Sequence, residues 1–286
     1  MTCPFLKETQ VKYCRSAAVR KLIPLAQAGR AKEKCSSGEF TACPVYQQQR
    51  EADARGDFGP CPYLHESLMQ YCAAAATTKF VPYSESLLSR CGNDSYRYCE
   101  LYLAMAHPNL PVEEVDSIPM PSWLQYSANH MWLDATDDGL CHAGIDAFLA
   151  RALGPVDRIS YVWQTGHHRP TAVLTAAGID WEVVFPNAFQ ITRCNLYLRA
   201  TPGRLTAEPY SAGWLFEGKV EPGTEANLLL GDAARQWMEE EHRRINDFLQ
   251  QQCGCAADGG TLAAGCARHL DREQMLALFH EFFSRK

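Results

Sequence analysis

The sequence predicts an α+β protein: an N-terminal helical cysteine-rich module, a central β-domain and C-terminal helices. Three observations point there. Eight of the thirteen cysteines fall into two matching sets of four within residues 1–102. From Trp123 to about Val220 the chain breaks into short β-rich segments separated by Gly, Pro and Asp. From Glu225 to Lys286 apolar residues return at helical spacing. At 286 residues the chain is long enough for two domains, or for one with a sizeable appendage.

The cysteine sets belong to a duplicated module. The first copy reads Cys3-Pro4-Phe5-Leu6, Glu8, Tyr13-Cys14, Pro24, Cys35, Phe40, Cys43 and Tyr46. The second reads Cys61-Pro62-Tyr63-Leu64, Glu66, Tyr71-Cys72, Pro82, Cys91, Tyr96, Cys99 and Tyr102. The offset is 58 residues through Pro24/Pro82 and 56 from Cys35/Cys91 onward, which implies one two-residue deletion in the second copy. Buried free cysteine behaves as a small hydrophobe, so packing alone does not demand eight of them at matched positions. Glu8 to Leu25 and Glu66 to Thr78 read as helices, with Pro24 and Pro82 as matched stops.

The polar stretch Gln47 to Pro60 joins the copies, and the module spans 1–106, with copies at 3–46 and 61–102. A proline-punctuated linker, 107–122, follows. The β-domain spans 123–221, with strands at Ile159 to Gln164, Ala172 to Leu174, Trp181 to Phe185, Phe189 to Arg193 and Trp214 to Val220, and one helical insert at Asp146 to Leu153. Closely spaced strands suggest a small antiparallel domain. The helical extension, 222–286, carries apolar stripes through Trp237, Met238, Ile245, Phe248 and Leu249, and again from Leu270 to Phe283. Asp271 with Gln274 has the form of a capping box.

A formal charge of −6 argues against a general nucleic-acid binder, although Lys7 to Lys34 is locally basic. The chain starts Met-Thr-Cys-Pro, and no apolar run approaches a membrane span, so a cytoplasmic protein is expected. There thiols stay reduced, and a cysteine-rich pattern points to metal or catalysis before disulfides. Nucleophile elbows, phosphate loops, dinucleotide glycine patterns and His-Glu-x-x-His helices are absent from the sequence, which argues against an enzyme.

The central domain resembles the H-protein of the glycine cleavage system, the small β-domain that carries a lipoyl group on a lysine. The resemblance runs through Tyr126, His130 and Trp132, Gly144-Ile145-Asp146 to Leu153-Gly154, Pro186, Asn195, Leu198, Pro202, and Pro209-Tyr210-Ser211-Ala212-Gly213-Trp214-Leu215. It implies a flattened barrel-sandwich hybrid with a hairpin displaying the lysine, and a structural part for His130. The lipoyl-lysine position falls near Gly178, and no lysine occurs between Lys79 and Lys219. Lipoate needs an ε-amine, so no lipoate is expected here, and fold alone does not transfer function.

Four thiols per copy is the number a metal or iron–sulfur site uses, making Cys3, Cys14, Cys35, Cys43, Cys61, Cys72, Cys91 and Cys99 the candidate ligands. Structural zinc sites usually draw cysteine pairs from one tight turn; here the spacings are 11, then 21 or 19, then 8. That favours two iron–sulfur clusters, with electron transfer or redox sensing as their use and zinc in a structural adaptor as the alternative. Arg15, Lys34 and Arg90 adjoin candidate ligands. Each copy closing its own site is the simpler arrangement; ligands interleaving across a pseudo-twofold is the other.

A third group, Cys253-Gly254-Cys255 with Cys266, offers a thiol redox enzyme as a further alternative. Cys141 and Cys194 read as core, and His167-His168 as an exposed turn. A protein partner is expected on the β-domain and C-terminal helices.

Overall fold

The computed structural model describes residues 1–17, 22–25, 34–49, 60–77, 79–81, 90–106, 112–162, 166–220, 227–253 and 262–284. The chain divides into two compact units, Met1–Tyr96 and Arg97–Lys286.

In the first unit the segments expected to be helical form strands over much of their described length. β1 (Leu6–Cys14) and β3 (Leu64–Cys72) pair antiparallel over nine residues, flanked by β2 (Ile23–Pro24) and β4 (Lys79–Val81) in the order β2-β1-β3-β4. The helix-forming Lys and Glu content misleads here. Thr9, Val11 and Tyr13 recur at period two, Val11 is fully buried, and the charged residues are spent on cross-strand pairs. Lys12 Nζ lies 3.4 Å from Glu66 across the ladder, and Gln70 donates to Glu8 at 3.2 Å. Pro24 lies within β2, and Pro82 falls outside the described residues.

The duplication is also a symmetry. Gln10 faces Leu68, the residue 58 positions later, so a pseudo-twofold passes through that pair. It relates Lys12↔Ile23 on one edge to Gln70↔Val81 on the other. It also relates the bond from Arg15 N to Tyr63 O to that from Ala73 N to Phe5 O. Each copy then runs through two 3-10 turns, Lys34–Ser36 and Gly38–Ala42 or Arg90–Gly92 and Asp94–Tyr98, into a short helix. These helices are α1 (Pro44–Gln49) and α2 (Glu100–Ala106), the latter lying in the second unit.

The second unit is antiparallel β closed by helices. Residues 107–111 of the expected linker lie outside the described residues; from there a hairpin, β5 (Glu113–Val115) and β6 (Ile118–Met120), buries Val115, Ile118 and Met120. The chain continues through β7 (Gln125–Tyr126), β8 (Met131–Ala135), β9 (Leu140–Ile145), α3 (Ala147–Leu153) and β10 (Arg158–Val162). Then come β11 (His167–His168), β12 (Thr171–Ala176), β13 (Ile179–Val184), β14 (Phe189–Cys194), α4 (Arg204–Ala207) and β15 (Phe216–Lys219). One sheet runs β11-β14-β15-β9-β8-β7 and the other β10-β12-β13. The expected strands and the helical insert are present as β10, β12, β13, β14, β15 and α3, but His167-His168 forms a two-residue edge strand on Phe189–Gln190 instead of a free turn.

Helices α5 (Gly231–Cys253) and α6 (Arg272–Leu278) belong to the same core, contributing Met238, Ile245, Met275 and Leu278 beside Phe148 and Trp181. The capping box at Asp271 and Gln274 is complete, each side chain accepting from the other residue's backbone N–H. Among the described residues no helix is long and apolar enough to cross a membrane.

Candidate functional site

The thiols of the first unit are placed by the strand pairing. Cys61 is buried, and Cys35 and Cys43 pack against the cluster it forms with Phe40 and Tyr46, together with Tyr63 and Leu64. The rings interlock edge to face, Phe40 on Tyr46 at 4.9 Å, with Tyr63 tilted 6.0 Å beyond. Cys61 N donates to Cys35 O at 2.8 Å, Cys43 N to Phe40 O at 2.9 Å, and the Tyr63 hydroxyl to Gln49 O at the end of α1 at 2.7 Å. Cys14 faces Leu64 in the ladder, and directly opposed residues of an antiparallel pair project to the same face. Cys14 therefore points to the side on which Leu64 meets the cluster.

The twofold mate repeats this. Cys3 is buried, its N donates to Cys91 O at 2.9 Å, and Cys72 faces Leu6, whose own N bonds Cys3 O. Cys99 stands in the second unit, where its carbonyl accepts from Leu103 N at the start of α2 as that of Cys43 accepts from Gln47 N at the start of α1. Among the described residues no three His, Cys, Asp or Glu side chains already stand close enough to hold an ion.

Three cysteines of the second unit, Cys141, Cys194 and Cys266, are not poised for chemistry. Burial pushes the Cys194 thiol up to about 11, and Cys141, fully buried, is raised as well. Cys266 is buried with Ala152 O 3.8 Å from its sulfur, an environment that makes thiols inert. Cys253 closes α5, and Cys255 lies outside the described residues.

What the second unit does hold is a buried polar scaffold. Asp146 caps α3, accepting from Leu149 N at 2.9 Å through one oxygen, and its other oxygen lies 2.8 Å from His130 Nδ1. His130, fully buried, stacks on Phe148 at 4.2 Å and brings Nε2 within 3.6 Å of Glu241 on α5. Burial alone would lower the imidazole pKa, but Asp146 and then Glu241 raise it above its ordinary value. Asn195 donates to both Ala212 O and Trp214 O at 2.9 Å. Tyr210 hydroxyl donates to Pro119 O and accepts from Ala147 N. Trp132 Nε1 donates to Pro209 O, and a Cβ at Gly144 would lie 2.9 Å from the Trp132 ring.

Sequence reasoning identified His130 as structural but missed Glu241, its partner 111 residues away. It also missed the buried His142–Glu217 pair at 3.1 Å, beside which Tyr98 donates to Asp134 at 2.7 Å. No local pattern carries those long-range pairings.

The hairpin between β12 and β13 turns through Ala177 and Gly178, both at positive φ (52° and 76°), the geometry of a tight two-residue turn. A Cβ at Gly178 would meet nothing, so the tip is open.

The second unit is thus an antiparallel β-unit whose buried polar residues lock turns and caps and whose β12–β13 hairpin tip is open. No family model matches the chain. The glycine cleavage system H protein of Aeromonas hydrophila is 29% identical over 126 residues, which is 43% of this chain and 98% of that protein. Those of Sodalis glossinidius and Laribacter hongkongensis are 30% and 31% identical, over 41% and 40% of this chain and 92% of each relative. A crystal structure of the H protein from Mycobacterium marinum aligns over 43% of this chain and 98% of its own at 22% identity, with a TM-score of 0.35. The chain belongs to the glycine cleavage system H protein family through about two fifths of its length.

Proposed function

We propose that this chain is a non-lipoylated H-protein-like accessory protein whose working chemistry resides in thiolate-bound metal, most naturally iron–sulfur clusters. The observation that carries this is the packing of Cys35, Cys43 and Cys61 on one aromatic cluster, with Cys14 projecting to the same face. A donor set of four thiolates suits iron–sulfur or zinc, and ligands drawn from a strand end, two 3-10 turns and a loop suit a cluster better than a tight-turn zinc knuckle. The aromatic rings would wall the site from water, Arg15 and Lys34 would offset its negative charge, and Arg90, next to Cys91, would do so at the other site. When bound, a cluster supplies one-electron transfer; the chain's own residues hold, seal and charge-balance it.

The lipoyl position supports the same reading. The hairpin tip Ala177-Gly178 carries no amine, and no lysine lies between Lys79 and Lys219. What remains of the carrier domain is a rigid docking shape for a protein partner. A reducing compartment, which keeps the eight thiols available, follows from this reading.

The test is visible absorbance with iron, zinc and acid-labile sulfide determined on the same sample of anaerobically purified protein. Brown colour with iron and sulfide is expected. Zinc without colour replaces redox chemistry with a structural adaptor, and a metal-free, folded protein overturns the proposal.

A further inference from the structure

We propose that the thiolate sites are built across the repeat, so that each copy lends its first cysteine to the other copy's site. This rests on the metal-binding reading above and deepens it. One site takes Cys14, Cys35 and Cys43 from the first copy and Cys61 from the second. Its mate takes Cys72 and Cys91 from the second copy and Cys3 from the first.

Three independent features of the first unit set this assignment. Cys61 is hydrogen-bonded through its backbone to Cys35, and Cys3 to Cys91, at 2.8 and 2.9 Å; both bonds cross between copies. The hydrophobic cluster around Cys61 is completed by Phe40, Tyr46, Cys35 and Cys43, all from the other copy. The β1/β3 register puts Cys14 opposite Leu64, three residues after Cys61, and Cys72 opposite Leu6, three residues after Cys3. Leu64 N bonds Cys61 O and Leu6 N bonds Cys3 O, so each leading cysteine is tied to the residue that faces the other copy's second cysteine.

The physical origin is the antiparallel pairing of the two long strands. In each copy the first cysteine precedes the strand and the second ends it. The second cysteine therefore lies about 27 Å from the start of its own nine-residue strand at roughly 3.4 Å per residue, and the first cysteine is tied by its turn to that start. No single metal site spans that length. Antiparallel pairing brings the start of one strand beside the end of the other, which is where the third and fourth cysteines of the first copy also sit. Both assemblies lie on one face of the sheet at its two ends, because Leu6 and Cys14 share parity along β1.

Two double variants of the full chain read the arrangement in opposite senses. Cys35→Ser/Cys61→Ser removes two ligands from one crossed site and leaves the other intact, so about half of the wild-type metal should remain. Cys3→Ser/Cys35→Ser strikes both crossed sites and should abolish binding. If each copy closes its own site the two results exchange, and that exchange overturns the proposal, as does complete loss in both variants.

Mild oxidation of the metal-free wild-type chain, followed by peptide mapping, reads the same adjacency without substitutions. Cys35–Cys61 and Cys3–Cys91 disulfides are expected; Cys3–Cys35 and Cys61–Cys91 disulfides overturn the crossing. Wild-type protein that holds no metal but gives the crossed disulfides sinks the metal reading while the strand exchange stands.

Discussion

Replacing His130 with Asn tests whether the buried charge cluster holds the second unit together. Asn tolerates the positive φ of 61° at this position, so the substitution changes the ring and its charge while leaving the backbone unstrained. The ring lies 2.8 Å from Asp146 and 3.6 Å from Glu241, is fully buried, and stacks on Phe148 with Trp237 4.8 Å away.

Removing one partner of a buried ion pair costs about 3–5 kcal/mol. Asn can still donate one hydrogen bond to Asp146, and Arg244 partly compensates Glu241, so the lower end, about 3 kcal/mol, applies to the charge. Loss of the ring contacts adds about 1 kcal/mol. A total of about 4 kcal/mol, at a urea slope of about 2 kcal/mol per molar, lowers the unfolding midpoint by about 2 M. All six tryptophans lie in Arg97–Lys286, so their fluorescence reports this unit alone.

The pH profile carries the sign. His130 has a raised pKa, so its contribution is complete below its ordinary value of 6.5 and is lost as pH rises through the raised one. Burial opposes the Glu241 charge, but His130 and then Arg244 lower its pKa, so its contribution is complete above 4.5 and is lost as pH falls through the lowered value. Both act together between those pH values, and the alkaline decline should be shallower in the variant. A midpoint within about 0.3 M of wild type, at a pH inside that window, would refute the assignment of His130 as a charged keystone.

Two further substitutions probe the same unit by the same assay. Asn195→Ala leaves the carbonyls of Ala212 and Trp214 without their donor in the core and should cost about 2–3 kcal/mol; a loss under about 0.5 kcal/mol means water replaces the amide. Gly144→Ala drives a methyl to 2.9 Å from the Trp132 ring, which is itself tied to Pro209 O, and should cost about 1–3 kcal/mol; the companion Trp132→Phe change should recover part of that loss if the clash is its cause.

The repeat was legible because eight cysteines and their neighbours keep an offset of 58 that changes only once, to 56, and the strands of the second unit were legible because turns punctuate them. The conformation of the first unit was not. Leu6-Lys7-Glu8-Thr9-Gln10-Val11-Lys12 contains enough helix formers to hide its period of two, and the partner that makes it a strand begins 58 residues later. The proposed ligand grouping was hidden for the same reason: sequence order favours Cys3 with Cys14, whereas Cys3 is tied by a turn to the start of β1 and Cys14 ends it. In the second unit the carrier signature could be read residue by residue, yet the physical work of His130 depends on Glu241, which only the packing of α5 supplies.

Strand exchange also explains what the duplication accomplishes. A lone copy would present β1 as a long strand with one side unpaired, its first and second cysteines too far apart to bind one metal. A second copy supplies the missing edge and the missing thiol in the same act, since the antiparallel register fixes both. The four-stranded sheet is thus made of two interdependent halves, and deletion of either removes the pairing that places the thiols of the first unit. With the hairpin at Ala177-Gly178 bare of an amine, the proposed cofactor chemistry rests on this proposed crossed arrangement of thiols.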